Sequence, residues 1–221
     1  MAFPDDSEAA PQGRATVFVI DDDPAIRDEL AALLGEAGMV VACFASAERF
    51  LEARLPVEGA CAIVDLALAG MDGMQLQAAL AERAVPLPII FLTAHGDIPT
   101  SVRAIKSGAF DFLCKPVSAQ AILASVRAAL EAGERMRQRV ARMNDASALL
   151  ATLTRRERDV LRLAVEGLAN KVIARQLGIS HRTVEIHKAR IMRKTGTGSV
   201  LELAHLVEAC PAFLALPARR G

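Results

Sequence analysis

The stretch Thr16-Val17-Phe18-Val19-Ile20-Asp21-Asp22-Asp23-Pro24 places three carboxylates and a proline directly after a short run of β-branched and apolar residues. Such a run without polar alternation is typical of a strand that is buried on both faces of a parallel sheet. The carboxylates are unfavourable neighbours, because two like charges about 4 Å apart repel by about 4 kcal/mol at an effective dielectric constant of about 20. We therefore expect a compensating positive charge at the end of this strand.

Four more short apolar runs follow the first, and segments with apolar residues at helical spacing separate them. Asp23 is interpreted as an N-cap rather than a metal ligand, with Pro24 at the first helical position, and Ser46 caps the next helix. The other strands are predicted at residues 40–44, 61–64, 89–92 and 110–113, and the remaining helices at about 74–83, at 98–107 and from 118 onward. This alternation predicts an α/β fold with a five-stranded, parallel, doubly wound sheet of the flavodoxin-like type.

The carboxyl ends of the predicted strands bring three carboxylates, a hydroxyl and an ammonium group to one edge of the sheet. Asp21 and Asp22 follow the first strand, Asp65 follows the third, Thr93 ends the fourth and Lys115 follows the fifth. Ligands of such sheets bind in the crevice beyond these ends. Carboxylate oxygens are the ligands that Mg²⁺ prefers, and a metal ion beside a lysine and a hydroxyl is typical of phosphoryl transfer.

With these positions in place, residues 14–130 resemble the receiver domain of two-component response regulators. The resemblance implies that Asp21 and Asp22 bind Mg²⁺ together with Asp65 and the backbone carbonyl of Ala67. It also implies that Asp65 accepts a phosphoryl group from a sensor histidine kinase. Gly73, eight residues after Asp65, falls where the family has its loop glycine.

The same resemblance assigns roles to residues near the ends of the fourth and fifth strands. Thr93 and Lys115 would contact the phosphoryl group, and Ala94 would leave room for it. Phe112 would be the aromatic switch residue, although its position also predicts a core side chain. The loop after Asp65 departs from the family pattern, because Ala69 stands where the family usually has proline. We therefore expect this loop to be more flexible than the family's usual loop.

The charge of the chain is divided unevenly, although its net value over 221 residues is zero. Residues 1–150 hold 13 Lys and Arg against 20 Asp and Glu, whereas residues 151–221 hold 13 against 6. This division favours a polyanionic partner for the C-terminal part. The acidic start is unlike a signal peptide, no apolar run is long enough for a bilayer, and four scattered cysteines predict small core residues. These features predict a soluble, cytoplasmic protein without membrane contact.

The last 70 residues carry the signature of a helix-turn-helix. Thr154-Arg155-Arg156-Glu157 is a capping box that opens a helix, and Asn170 is expected to cap the next one. Gly178 and Ser180 form a tight turn, in which Ser180 caps a third helix. The helices are predicted to begin near residues 154, 171, 181 and 200. Together they predict an all-α, four-helix DNA-binding domain.

The third helix of this domain has a packing stripe and a face that can read DNA. The packing stripe is predicted to be Val184, His187, Ile191 and Met192. Ile186, two residues from Val184, points away from the core and can touch a thymine methyl, and Glu185 can accept from cytosine N4. Basic and hydroxyl side chains would bind phosphates. The residues expected at the DNA are Lys171, Arg182, Thr183, Glu185, Ile186, Lys188, Ala189 and Arg190.

The pattern TxxE…GxxNKxIAxxLxISxRTVExH, which begins at Thr154, resembles the LuxR-type helix-turn-helix of FixJ/NarL regulators. A receiver domain followed by this module is similar to a FixJ-type response regulator. The resemblance implies a transcription factor, not an enzyme, that phosphorylation of Asp65 switches. The implied partners are the cognate sensor histidine kinase, double-stranded DNA at promoter sites and a second copy of the chain. The two copies would pair on phosphorylation through the fourth helix and the fifth strand, near Arg103, Lys106 and Asp111.

The predicted domains are a flexible tail over residues 1–13, a receiver domain over 14–130, a helical linker over 131–150 and a LuxR-type domain over 151–221. Within the linker, Met136 and Val140 lie at heptad spacing, which leaves open a short dimerising helix. Residues 144–147 are expected to end this helix.

Two other functions are weighed against this interpretation. The first is a receiver that serves as a phosphorylation-independent interaction scaffold on a DNA-binding module, and the acids, Thr93 and Lys115 argue against it. The second is an enzyme on a flavodoxin-like sheet, such as a Mg²⁺ phosphatase or an FMN protein. The sequence lacks a glycine-rich loop that cradles phosphate, and the attached DNA-binding module also argues against an enzyme.

Overall fold

The computed structural model describes residues 15–53, 55, 57–94, 97–211 and 213. The predicted tail over residues 1–13 therefore lies outside the described residues. The chain divides between Arg137 and Gln138 into two compact units. None of the helices in the described part of the chain is long and apolar enough to cross a membrane.

The first unit is built on a parallel five-stranded sheet in the order β2-β1-β3-β4-β5. The strands are β1 (Thr16–Ile20), β2 (Val40–Phe44), β3 (Ala60–Val64), β4 (Ile89–Thr93) and β5 (Asp111–Cys114). The helices are α1 (Pro24–Glu36), α2 (Ala47–Glu52), α3 (Gly73–Glu82), α4 (Ile98–Lys106) and α5 (Ala119–Ala151). The predicted α/β fold is confirmed, with β3 beginning one residue earlier and β5 one residue later than the sequence pattern indicates.

Alternate residues of β1 supply two apolar cores on opposite faces of the sheet. Phe18 and Ile20 pack into the core that α2, α3 and α4 cover, and Val17 and Val19 pack into the core that α1 and α5 cover. All four side chains are buried. Full burial of such side chains contributes about 1.5–3 kcal/mol each, which explains why the strand is apolar throughout. The polar residues are thereby confined to its carboxyl end.

The strands at the two edges of the sheet are less completely covered. Cys43 on β2 and Cys114 on β5 are exposed, whereas Cys61 and Cys210 are buried. The expectation that all four cysteines are core residues is therefore wrong for two of them. An edge strand has a neighbour on one side only, so part of its surface stays open to solvent.

The second unit consists, in its described residues, of the end of α5 and four further helices. These are α6 (Arg155–Val165), α7 (Asn170–Leu177), α8 (His181–Thr195) and α9 (Val200–Glu208). Thr154 and Glu157 form the predicted capping box at the start of α6, and the Ser180 hydroxyl accepts the Thr183 N–H at the start of α8. Gly178 ends α7 with φ of 64°, a left-handed conformation that glycine adopts without strain.

The expectation that Asn170 caps α7 is wrong. The cap position is Ala169, which makes no side-chain cap bond, and Asn170 is the first residue of the helix itself. Its side-chain oxygen instead accepts a hydrogen bond from Lys188 Nζ at 2.7 Å. A bond to a residue of α8 has therefore replaced the local cap, and it ties the two helices of the helix-turn-helix together.

The helix α5 runs without interruption through the residues predicted to end it. Residues 144–147 lie inside α5, which continues to Ala151. Ala146 and Leu150 are buried in the apolar core of the second unit, and this packing outweighs the weak helix propensity of Asn144 and Asp145. The sequence pattern of a helix end is therefore overruled by tertiary contacts.

Candidate functional site

Three carboxylates lie together at the carboxyl edge of the sheet. Because β1 and β3 are neighbours that pair Ile20 with Val64, the residues that follow these strands are also adjacent, and Asp65 N–H donates to Ile20 O at 2.9 Å. Ligand oxygens of Asp21, Asp22 and Asp65 lie within 4.8 Å of one another. The sequence-based prediction that these three acids meet agrees with this geometry.

Lys115, which follows the edge strand β5, reaches the acid cluster with its side chain. Lys115 Nζ lies 3.0 Å from Asp21 Oδ2, and the side chain of Asp21 is almost completely buried. The backbone of Lys115 is fixed by a hydrogen bond from its N–H to Thr93 O at 2.8 Å, and its bond to Pro116 is cis. The ammonium group therefore offsets part of the negative charge that the acids concentrate here.

One carboxylate oxygen of Asp65 in this cluster lacks a hydrogen-bond donor among the described residues. This atom, Oδ1, is buried and accepts no hydrogen bond from the described part of the chain. A buried carboxylate oxygen without a donor is unfavourable, so such an atom is typical of a position where a cation or a ligand binds. An all-oxygen set of carboxylates also fits Mg²⁺, which binds proteins through one or two carboxylates and retains water.

Arg27 on α1 fixes the backbone of the acid pair, a role that its position in the sequence does not indicate. Its Nη1 donates to Asp21 O at 2.7 Å and to Asp22 O at 3.0 Å. Asp21 Oδ1 in turn accepts the N–H of Asp23 at 3.0 Å. The backbone of the acid pair is thus fixed by a cation one helical turn further along the chain. The sequence shows an arginine in the first turn of α1, but not which backbone carbonyls its side chain reaches.

Gly73 lets α3 begin directly against the end of β3. A Cβ atom at this position would lie 2.6 Å from Asp65 O and 3.0 Å from Phe91 Cε1, so no side chain fits. The Gly73 N–H donates to Leu66 O, and Asp72 caps α3 in a capping box with Gln75. The far end of the β3–α3 loop is therefore fixed next to its beginning, with exposed Ala67 between them.

Thr93 and Phe112 lie on the neighbouring strands β4 and β5. Thr93 ends β4 and is buried, whereas Phe112 is half-buried with its ring centroid 6.3 Å from that of Phe91. The two strands pair Thr93 with Cys114, which brings Phe112 within two residues of the Thr93 position. Both predicted residues are therefore on the α4 side of the site.

The helix α8, the second helix of the helix-turn-helix, has the two faces that its sequence predicts. Val184 and Ile191 are buried, and Ile186 is 43% exposed. Glu185 is also exposed, with Oε1 3.6 Å from His181 Nδ1. Lys171, Arg182, Ala189 and Arg190 are exposed as well.

Two residues expected at the DNA, Thr183 and Lys188, are less exposed than the sequence indicates, whereas His187 lies on the packing stripe as predicted. Thr183 is half-buried with its hydroxyl 2.8 Å from that of Ser180, and Lys188 is half-buried with its ammonium group on Asn170. His187 is half-buried on the packing side, and its Nδ1 atom has no hydrogen-bond partner among the described residues.

An ion pair between buried Glu157 and exposed Lys194 fixes α8 against α6. Lys194 Nζ lies 2.7 Å from Glu157 Oε2, and Thr154 N–H donates to the same oxygen at 2.8 Å. Burial alone would raise the pKa of Glu157, but the hydrogen bonds from Lys194 and Thr154 outweigh it and lower the pKa to about 2. The carboxylate therefore stays charged and holds the two helices in one arrangement.

Comparisons with known proteins agree with this two-part organisation. Residues 17–127 match the family described as response regulator receiver domain, and residues 151–207 match the bacterial regulatory proteins of the luxR family.

The relatives that match most of the chain include two transcriptional regulatory proteins. The transcriptional regulatory protein TdiR of Thauera aromatica is 43% identical over 90% of this chain and 88% of its own length. The transcriptional regulatory protein FixJ of Azorhizobium caulinodans is 44% identical over 86% of this chain and 90% of its own length.

Two solved structures that match most of this chain are the response regulator StyR and full-length FixJ. The response regulator StyR is 43% identical, covers 89% of this chain and 99% of its own, and has a TM-score of 0.76. Full-length FixJ from B. japonicum is 38% identical, covers 90% of this chain and 98% of its own, and has a TM-score of 0.56.

Proposed function

Because the chain belongs to the FixJ-type response regulators, which join a receiver domain to a LuxR-type DNA-binding domain, we propose that its activity is switched by phosphorylation of Asp65. Members of this family are transcriptional regulators of two-component systems and not enzymes. A receiver domain implies a kinase partner, and the luxR-type domain implies binding to DNA. We further propose that the protein acts in the cytoplasm on double-stranded promoter DNA.

The unmatched Oδ1 atom of Asp65 is the observation that carries this proposal. In the proposed reaction, a carboxylate oxygen of Asp65 attacks the phosphorus of a phosphohistidine on the sensor kinase. The new oxygen–phosphorus bond forms as the phosphorus–nitrogen bond breaks, and the kinase imidazole leaves with the electron pair. The Lys115 ammonium group, 3.0 Å from Asp21, is near enough to the cluster to interact with the transferred oxygens.

Receiver domains bind Mg²⁺ at an acidic pocket, and we assign this pocket to the acid cluster at the carboxyl edge of the sheet. Asp21, Asp22, Asp65 and the backbone carbonyl of Ala67 would hold the ion. The bound ion would neutralise negative charge on the phosphoryl group during transfer. Arg27 would keep the acid pair in place through the two backbone carbonyls to which it donates.

Phosphorylation would then change the surface formed by α4 and β5. The Thr93 hydroxyl would turn toward the phosphoryl oxygens, with Ala94 leaving them room, and the half-buried ring of Phe112 would move inward. The α4 surface presents a stripe of exposed apolar side chains at Ile98, Val102 and Ile105. Such a stripe is unfavourable in water, which supports its use as an interface.

We propose that this stripe pairs with a second copy of the chain once Asp65 is phosphorylated. Arg103 and Lys106 are exposed beside the stripe and offer charged contacts. Asp111 offers less, because its carboxylate already accepts from the Ser125 hydroxyl at 2.6 Å and from the Phe112 N–H. Pairing would bring two DNA-binding units together and raise their joint affinity for two half-sites.

At the DNA, Ile186 and Glu185 would read base edges in the major groove. The exposed cations Lys171, Arg182 and Arg190 would contact phosphates, with Thr183 and Ala189 close to the backbone. Lys188 would contribute through its bond to Asn170, which holds α8 against α7.

Intact-mass spectrometry tests the phosphoacceptor. The purified chain with Mg²⁺ and acetyl phosphate should gain one phosphoryl group, and an Asp65→Asn variant should gain none. Equal labelling of the variant would reject Asp65 as the acceptor. If Asp65→Asn leaves transcription unchanged in cells, the receiver would be a phosphorylation-independent scaffold instead.

A further inference from the structure

The loop between β3 and α3 has fixed ends and a middle of small residues. Its start is bound into the sheet through Asp65, and its end is fixed at Gly73, as described above. Leu68 is buried in the apolar core, but Ala67, Ala69 and Gly70 are exposed and bring little side-chain volume to pack. The segment that includes the expected metal-binding carbonyl therefore depends on other restraints.

One such restraint comes from Glu48 on α2. Its Oε1 atom accepts a hydrogen bond from the Met71 N–H at 2.8 Å, although the two residues are 23 positions apart. The hydrogen bond from Met71 is the main reason that the pKa of Glu48 is lowered, so the carboxylate is charged at neutral pH. A bond between a charged acceptor and a backbone N–H is stronger than one between neutral groups.

Gly70 allows this carboxylate to approach the loop closely. It has φ of 86°, which favours glycine, and a Cβ atom at this position would lie 2.7 Å from Glu48 Oε1. Glu48 therefore lies against the loop at two successive residues: it occupies the space that a side chain at Gly70 would need, and it accepts a hydrogen bond from Met71. Together they fix the loop three to four residues after Ala67.

We propose that Glu48 is a positioning residue for the metal-binding loop, holding it in the conformation that presents the Ala67 carbonyl. The proposal rests on the proposed function, because it assumes that the loop contributes to Mg²⁺ binding. It also accounts for the loop composition, since a carboxylate on α2 supplies the restraint that a loop proline would otherwise supply in place of Ala69.

Loss of the Glu48 contact should weaken Mg²⁺ binding by making the loop more mobile before the ion binds. The chain would then have to order the loop on binding, at a cost in conformational entropy. A single hydrogen bond of this kind corresponds to a roughly threefold to tenfold change in an equilibrium constant. The same change should shorten the lifetime of the phosphoryl group on Asp65, because water would reach the site more easily.

Isothermal titration of the full-length protein with Mg²⁺ alone tests the positioning role. Glu48→Ala should raise the dissociation constant for Mg²⁺ roughly threefold to tenfold. The dissociation constant of Glu48→Gln should lie between those of Glu48→Ala and the unmodified protein, because the Gln amide oxygen can still accept a hydrogen bond from the Met71 N–H. Glu52→Ala is the matched control, since it removes an exposed carboxylate from the same helix, and it should leave the constant unchanged.

Amide hydrogen exchange supplies a second measurement that does not depend on the metal. The Met71 amide should exchange faster in Glu48→Ala than in Glu52→Ala, while amides of β1 and β3 stay protected in both. Unchanged exchange at Met71, or equal Mg²⁺ constants in the two variants, would overturn the positioning role. If Glu48→Ala does not fold, Glu48→Gln decides the question by the same two measurements.

The two proposals fail in different ways. An unmodified protein that neither binds Mg²⁺ nor is labelled at Asp65 would overturn the proposed function, and the role of Glu48 with it. An unmodified protein that does both, with Glu48 variants that match it, would overturn only the role of Glu48.

Discussion

Gly73 lies so close to Asp65 that a Cβ atom at position 73 would be 2.6 Å from the Asp65 carbonyl oxygen. The start of α3 and the end of β3 are therefore in direct backbone contact beside the acid cluster. A side chain at this position must move one of them, and either movement would disturb Asp65, the proposed phosphoacceptor.

Gly73→Ala should destabilise the first unit by about 1–3 kcal/mol, since the added methyl group overlaps the backbone in a closely packed region. It should also slow the labelling of Asp65 by acetyl phosphate. Urea unfolding followed by circular dichroism measures the first effect. Gly35→Ala is the control, because a Cβ atom there meets nothing within 4 Å, and it should stabilise α1 by about 0.5–1 kcal/mol. Equal stability of the two variants would contradict the predicted overlap.

The pH dependence of the second unit should reflect Glu157. Its pKa is lowered from 4.5 to about 2, so the stability that it contributes is present above pH 4.5 and is lost as the pH falls toward 2. At pH 7 Glu157→Gln should be less stable than the unmodified protein by about 2–3 kcal/mol, and this difference should disappear toward pH 2. Urea midpoints at several pH values measure the difference. Glu166→Gln, at an exposed position, should show no such trend.

Base reading and phosphate binding should separate in DNA-binding measurements. Ile186→Ala and Glu185→Ala should each reduce the free energy of specific DNA binding by about 1–3 kcal/mol. Each should also relax the base preference at one base pair of the site. Lys171→Ala should weaken binding to all DNA sequences alike. It should also lower the slope of log binding constant against log salt concentration by about one. Competition binding over single-base variants of a site, at several salt concentrations, distinguishes the two effects. Uniform weakening by all three substitutions would mean that the reading face lies elsewhere.

Dimerisation on phosphorylation should depend on the apolar stripe of α4. The full-length chain should be monomeric in sedimentation velocity and should dimerise when Mg²⁺ and beryllofluoride mimic the phosphoryl group. Val102→Asp should abolish this dimer, whereas Met136→Asp, at an exposed position on α5, should not. The reverse result would assign the interface to the heptad positions of α5. An identical mass distribution with and without the mimic would reject both.

Arg27→Ala should weaken Mg²⁺ binding, because the carbonyl groups of Asp21 and Asp22 would lose the donor that fixes them. A roughly threefold to tenfold rise in the dissociation constant is expected. Isothermal titration measures it, with Arg49→Ala as a control that removes an exposed arginine from α2. An effect of Arg49→Ala as large as that of Arg27→Ala would indicate a response to net charge alone.

The positions of the acid cluster could be predicted from the sequence because a parallel sheet has regular geometry. Once the apolar runs are taken as strands, in-register pairing such as that of Ile20 with Val64 forces Asp21 and Asp65 together. The same reasoning brings Thr93 and Lys115 to that edge. Fully buried strands make such patterns strong, since a polar residue inside them would be costly.

The residues that hold the site in place could not be predicted in the same way. Arg27 and Glu48 act through bonds to backbone atoms, and the sequence does not record which carbonyl or N–H a long side chain reaches. Asn170 fails as a cap for the same reason, since the Lys188 ammonium group on another helix is the stronger partner for its oxygen. Periodicity predicts faces of helices and strands, but it does not predict contacts between elements.

The open edge of β5 has a practical consequence for measuring the switch. The chain contains no Trp and no Tyr, so it has almost no intrinsic fluorescence with which to follow a conformational change. Cys114 is exposed beside Lys115, whereas Cys61 and Cys210 are buried and burial raises the pKa of Cys61 to about 12. A maleimide dye should therefore react with a Cys43→Ser variant at Cys114 alone. Its emission would supply an optical signal next to the proposed phosphorylation site.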